Sequence, residues 1–245
     1  MMKLKGRVAL VTGGARRIGR TLVEALAERG ASVALHYHTS AAQAREVRDR
    51  LRGAGRTADI FRADLGRPRG AEALARRVEE RLGPVDVLVN SASVYERTPL
   101  AEFRPADWDR TLNINLRGPA LLARRLGLEM KQRGRGAIVN IGDWSIDRPY
   151  PGYAAYAASK AGLRAVTRIL ARELAPEVTV NMVSPGAILP YEGASEHEMR
   201  AMRKAAALKK LGDPEDIAAA ILYLVEGSGY STGTEIIVDG GRSLR

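Results

Sequence analysis

Residues 7–11, RVALV, are apolar without a break after the leading arginine, the pattern of a strand buried on both faces. TGGARRIG follows at 12–19, and residues 20–30 then set Leu22, Val23 and Leu26 on one helical face. A strand that enters a glycine-rich turn and leaves it as a helix points backbone N–H groups at an anion, as phosphate binding requires. The alternation does not stop there. Strand-like runs recur at 32–37, 57–63, 85–90, 137–142, 178–183 and 234–239. Helical patterns lie between them at 41–52, 71–82, 105–116, 119–133, 153–175 and 213–225, with short connections. This predicts an α/β fold: a doubly wound parallel sheet of about seven strands flanked by helices, in one domain spanning 1–245. Asp213 is the expected N-cap of the last helix and Pro214 its first residue. Residues 187–208 are polar and helix-prone without a strong apolar face, as a lid over a substrate would be.

Charge is the one bulk property that needs weighing. A net charge of +11 can mark a nucleic-acid binder. The arginines, however, are dispersed along helices and alternate with glutamate and alanine, and the chain holds only two tryptophans and two phenylalanines. Solvated helix faces account for that distribution, and no nucleic-acid partner is expected. The absence of cysteine excludes disulfides and thiolate metal sites. No apolar segment approaches the ~18 residues that span a bilayer, and no signal peptide precedes the first strand, so a cytoplasmic protein without membrane association is expected.

Ligands bind such sheets beyond the carboxyl ends of the strands. The chemistry-bearing residues collect at that edge: the turn after strand one, 36–40 after strand two, Asp64 after three, 90–95 after four, Asp143 after five, and Pro185-Gly186 after six. Tyr156 and Lys160 are four residues apart, which puts them on one helical face. A lysine cation beside a phenol lowers its pKa from about 10 and makes it a usable acid or base. Asp143 lies thirteen residues earlier, where a strand-to-helix return brings a carboxylate beside the phenol. His36 and His38 share a strand face but have no further ligands near them, so no metal site is expected.

Taken together, Thr12-Gly13, Ile18-Gly19, Asp64, Asn90-Ser91-Ala92, Asn115, Tyr156 with Lys160, Pro185-Gly186 and the run VDGG at 238–241 resemble the short-chain dehydrogenase/reductase family over essentially the whole chain. The resemblance implies a Rossmann-type fold, a nicotinamide cofactor and tyrosine-based proton transfer coupled to hydride transfer. Two departures narrow it. Arg17 stands where the family usually has glycine, and Asp143 where it usually has serine. With the runs HYHTSAA at 36–42 and NSASVYERTPL at 90–100, these departures resemble the pteridine reductases.

That resemblance implies a catalytic group of Asp143, Tyr156 and Lys160, with Asn115 holding a water relay near the lysine. It implies a cofactor lying along Gly13, Arg16, Arg17, Ile18 and Gly19, then His36, Tyr37 and Ser40. Further contacts would come from Asp64, Leu65, Asn90, Ser91, Ala92, Tyr156, Lys160, Pro185, Gly186 and Ile188. Arg17, Ser93, Tyr95, Asp143 and Tyr156 would meet the substrate, with the Tyr95 ring stacked on a pterin. The end of strand two carries no acid to hold ribose hydroxyls, and Arg16 is nearby, which favours NADP(H). Plainer roles are open for three of these: Arg17 as a surface arginine, Tyr95 as loop packing, Asp143 as a cap.

The expected activity is NADPH-dependent reduction of a dihydropterin or folate-type ring. A reductase of ketones, such as 3-oxoacyl thioesters or sugars, is the alternative. A non-catalytic cofactor sensor is the reading from another class, and it leaves Asn115, Tyr156 and Lys160 without a use. The resemblance also implies a homotetramer with helix 153–175 at an interface, and a tail, 242–245, within reach of a neighbour's site.

Overall fold

A computed structural model describes residues 2–190 and 193–244. Seven parallel strands make one sheet: β1 (Val8–Thr12), β2 (Ser32–Tyr37), β3 (Ala58–Arg62), β4 (Val85–Asn90), β5 (Gly136–Ile141), β6 (Val178–Pro185) and β7 (Glu235–Val238). The helices are α1 (Arg17–Glu28), α2 (Ala41–Gly53), α3 (Gly70–Leu82), α4 (Pro105–Leu112), α5 (Gly118–Gln132), α6 (Ala154–Leu174), α7 (Glu196–Ala205) and α8 (Pro214–Leu222). The strand order is β3-β2-β1-β4-β5-β6-β7. The chain winds outward from β1 to β3, then returns to place β4 on the other side of β1. That reversal parts the loops after β1 and β4 and opens a crevice at the carboxyl edge.

The continuous apolar runs are explained by two cores. Val11, Val89 and Val139 enter a cluster with Leu22, Val23 and Ile221, on the face covered by α1 and α8. Leu10, Leu88 and Ile138, one residue earlier in the same strands, enter a second cluster with Leu74, Leu122 and Leu170 from α3, α5 and α6. Alternate side chains serve opposite faces, and both faces are covered, so no polar alternation survives.

Several expected boundaries shift. The first helix begins at Arg17, three residues before its apolar periodicity does. The two helices expected at 105–116 and 119–133 are joined by a π-helical turn, Asn113–Arg117, whose extra residue in the turn interrupts the 3.6-residue pattern. Within 187–208, only α7 is helical among the described residues, and none of its residues is buried. A reciprocal capping box starts it: Glu198 N donates to Ser195 Oγ at 3.2 Å, and Ser195 N donates to Glu198 Oε2 at 2.8 Å. Tyr191 and Glu192 of that stretch, and Arg245 of the tail, lie outside the described residues. No helix is long and apolar enough to cross a membrane, among the described residues.

Candidate active site

The glycine turn is shaped by close approach. Gly13 has φ +68°, and a Cβ there would stand 2.9 Å from the Ala92 Cα; one on Gly19 would stand 2.2 Å from the Gly13 carbonyl oxygen. Only glycine fits either place. Thr12 Oγ1 accepts from Ser91 N and Ala92 N, each at 3.0 Å, which ties the exit of β4 to the end of β1.

His36 supports this turn from within the protein. Its Nδ1 accepts from Gly13 N at 3.2 Å and its Nε2 lies 3.2 Å from the Ala63 carbonyl, so the neutral ring carries its proton on Nε2. Burial pushes its pKa down to about 4, against a weaker upward pull from the Ala63 carbonyl. The side chain expected to touch a cofactor is therefore engaged on both nitrogens as a brace between strands and turn. Its depressed pKa has a consequence for folding. The unfolded imidazole takes up a proton below about pH 6.5, whereas the folded one stays neutral until about pH 4. Stability is therefore complete above pH 6.5 and falls through that window, by roughly 3 kcal/mol at about 1.4 kcal/mol per pH unit. Urea unfolding at pH 7 and pH 4.5 checks it: the stability gap between wild type and His36→Asn should narrow at the lower pH. An unchanged gap would show that His36 does not carry the effect.

Arg17 adopts φ +52°, a left-handed conformation unusual for arginine, and its guanidinium donates to the Leu189 carbonyl at 3.1 Å and the Pro190 carbonyl at 3.2 and 3.3 Å. It ties the turn to the segment after β6. Arg16, at the N-cap of α1, makes no side-chain hydrogen bond or ion pair among the described residues. Asp64 Oδ1 accepts from Gly66 N at 2.9 Å, and its Oδ2 lies 3.4 Å from Arg67.

A cleft of about 1250 Å³ runs along this edge of the sheet. All the residues expected at the site line it, Tyr37, Ser40, Ser93 and Ile188 included, except Asn90 and Asn115. Those two amides work beneath it. Asn90 Nδ2 donates to Asn140 Oδ1 at 2.8 Å, part of a buried chain that continues through Asn140 Nδ2 to Thr167 Oγ1 at 2.9 Å. Asn115 sits in the π turn, accepts from Val94 N and donates to the Val94 carbonyl, both at 2.9 Å, and so fixes the loop after β4.

The candidate catalytic groups meet where β5 gives way to a short 3₁₀ turn, Trp144–Asp147, for which Asp143 is the N-cap. Asp143 Oδ1 accepts from Ser145 N at 2.7 Å and from Ser145 Oγ at 2.6 Å. Its Oδ2 accepts from the Tyr156 hydroxyl at 2.7 Å. Three donors on two oxygens suit a carboxylate, and the phenol beside it is held in its protonated form. Burial, then the Asp143 charge and hydrogen bond, push the phenol well above its ordinary pKa.

Lys160 departs from the simple expectation of two heads in contact. Its Nζ donates to the Ile141 carbonyl at 2.8 Å and stands 5.7 Å from the Tyr156 ring centroid. It is fully buried, and burial lowers its pKa to about 8. The carboxylate, not the ammonium, has the phenol's hydrogen bond.

Aromatic rings wall this end of the cleft. Tyr95 stacks on Tyr153 at 4.5 Å and 13°, and meets Tyr156 edge-on at 4.6 Å and 80°. Tyr153 and Ser145 were not singled out from sequence, although 153 and 156 have the i, i+3 spacing that shares a helical face. Nor did the sequence assign Trp144 or Tyr150 a place in the cleft wall.

A family model described as enoyl-(acyl carrier protein) reductase matches residues 13–243. A short-chain type dehydrogenase/reductase from Picea abies is 34% identical, over 98% of this chain and 93% of its own. An acetoacetyl-CoA reductase from Allochromatium vinosum is 35% identical over 96% and 98%. Among solved structures, a blue fluorescent protein from a metagenomic library, in complex with NADPH, superposes with a TM-score of 0.91 at 35% identity, over 98% of this chain and 99% of that one. With its seven-stranded parallel sheet, glycine turn and Tyr156–Lys160 helix, the chain belongs to the short-chain dehydrogenase/reductase family, whose members are oxidoreductases.

Proposed function

We propose that this protein is an NADPH-dependent reductase of a flat nitrogen heterocycle, a dihydropterin or folate-type ring. One observation carries the reading: a carboxylate, Asp143, accepts the Tyr156 hydrogen bond at 2.7 Å inside a tyrosine-walled cleft. Reduction of a C=N bond places a hydride on carbon and a proton on nitrogen, and the bound nicotinamide supplies the hydride. The chain's own residues supply the rest. The backbone of the glycine turn and the α1 N-terminus suit a pyrophosphate. Arg16, without an acid partner among the described residues, suits a 2′-phosphate, and the NADPH held by the 35% identical neighbour agrees with that choice. Tyr95 offers a ring for stacking, and the Tyr156–Asp143 pair holds a proton ready for a ring nitrogen. Lys160 adds a buried positive charge that favours the phenolate once the proton has left.

A second reading is supported by the likeness to acetoacetyl-CoA reductase: reduction of a 3-oxoacyl thioester, with the same phenol protonating the carbonyl oxygen. NADPH oxidation in the presence of dihydrobiopterin, dihydromonapterin, dihydrofolate, folate and acetoacetyl-CoA separates the two. Turnover is expected with at least one of the dihydro rings, faster than with the thioester. No turnover with any ring sinks the first reading, and thioester reduction outpacing every ring establishes the second.

A further inference from the structure

The cleft contains an arginine for which the proton and hydride chemistry has no use. Of the guanidinium groups that line it, Arg17 is bonded to carbonyls, Arg67 lies beside Asp64, and Arg110 pairs with Glu96. Arg16 has no acid partner among the described residues and lies at the end suited to the cofactor. Arg242, elsewhere in the cleft, likewise has no acid partner among the described residues. Its Nη2 donates to the Tyr150 hydroxyl at 2.8 Å, and its Cζ lies over the Trp144 ring, 4.8 Å from the centroid. Tyr150 in turn meets Trp144 edge-on at 5.9 Å. Nη1 and Nε have no bonded partner among the described residues.

The position of this side chain is built rather than incidental. Asp239, leaving β7, folds the tail back on itself: its carboxylate accepts from Gly241 N at 2.8 Å and Ser243 N at 2.6 Å. Its carbonyl accepts from Arg242 N at 3.2 Å. The tail thus delivers Arg242 to the cleft of its own chain, whatever it offers a neighbour. Trp144 opens the turn that Asp143 caps and Tyr150 follows its end, so the platform is continuous with the reactive carboxylate.

We infer that Arg242, held flat on Trp144 and tethered by Tyr150, is the anchor for an anionic group on the substrate's tail. A planar cation with unused N–H donors takes a carboxylate or phosphate in two parallel hydrogen bonds, and a half-buried position screens it less than open water does. The inference rests on the reading of this cleft as a reductase site. It does not depend on which substrate is reduced, because both candidates have such tails: the glutamate carboxylates of a folate, or the phosphates of an acyl-CoA.

Two substrate pairs that differ in that tail make the test. Dihydrofolate is compared with dihydrobiopterin, and acetoacetyl-CoA with the acetoacetyl thioester of N-acetylcysteamine. In Arg242→Met, the ratio of kcat/KM between charged and uncharged members should fall about tenfold, through KM, the size of one lost charge-assisted contact. Arg242→Lys should recover part of it. A fall in the folate pair alone identifies carboxylate as the ligand, and a fall in the thioester pair alone identifies phosphate. An unchanged ratio in every pair that turns over overturns the anchor. Should neither pair be reduced, the reductase reading fails and a binding measurement decides the anchor separately. In a Trp108→Phe background Trp144 is the sole tryptophan, and p-aminobenzoylglutamate should change its emission with Arg242 present and not with Met there. No change in either protein overturns the proposal.

Discussion

Tyr156→Phe is expected to lower kcat for substrate reduction by two to four orders of magnitude, roughly the worth of a positioned proton donor, and to leave NADPH affinity within about threefold. In the proposed reaction the hydroxyl holds the transferable proton, and among the described residues it donates to Asp143 Oδ2 at 2.7 Å. The ring, which packs edge-on against Tyr95, is retained in phenylalanine. Asp143→Ser should behave alike. It removes the carboxylate that holds the phenol in its acid form and leaves Ser145 Oγ without its acceptor. Stopped-flow NADPH oxidation, with cofactor fluorescence titration alongside, reads both quantities. Undiminished turnover in either variant would remove these groups from the chemistry. The pH profile has a matching sign. The phenol stays protonated through neutral pH, whereas Lys160 begins to lose its charge near pH 8, so the rate should decline above that value rather than rise.

Gly19→Ala should remove cofactor binding altogether, a loss of about a hundredfold or more, together with several kcal/mol of stability. The added carbon would lie 2.2 Å from the Gly13 carbonyl oxygen, which is backbone and cannot rotate aside. Relief requires the helix and turn to separate, and Gly13 cannot follow, because its own approach to Ala92 is already close and its N–H is engaged by His36. Urea unfolding and NADPH titration check the two halves. A variant of normal stability that still binds NADPH would show that the turn has slack the geometry does not indicate.

The fold was legible because the central strands β1, β4 and β5 are buried on both faces, and the helices that pack on the sheet are buried on one. Val11 and Leu10 have opposite destinations yet the same chemistry, and that is why the run at β1 reads as unbroken. The positions of Asp143, Tyr156 and Lys160 were legible from spacing alone. Their bonding was not. Lys160 Nζ chooses between the phenol and the end of β5, and the Ile141 carbonyl wins because the strand delivers it at 2.8 Å. His36 was read as a cofactor contact and Asn115 as the holder of a water relay; in the fold the His36 ring lies between Gly13 and the Ala63 carbonyl, and the Asn115 amide is engaged by the Val94 backbone. Sequence patterns carry the period of an element, not the competition among acceptors that tertiary structure brings together. The stack of Tyr95 on Tyr153 depends on how two loops meet, which no spacing encodes. Ser145 and Glu198 are different: a serine two residues after a cap, and a serine–glutamate pair three apart, were both open to reading.

The backbone of Arg17 has a consequence for how this chain responds to substitution. A left-handed arginine costs about 1–2 kcal/mol relative to glycine, and it is retained at the junction of the turn with Leu189 and Pro190. Glycine at 17 would relieve that conformation, and the same change would cut the tether to the segment after β6, whose charged hydrogen bonds are of comparable worth. Backbone ease and the tether therefore pull this one position in opposite directions, and any substitution at 17 trades one against the other.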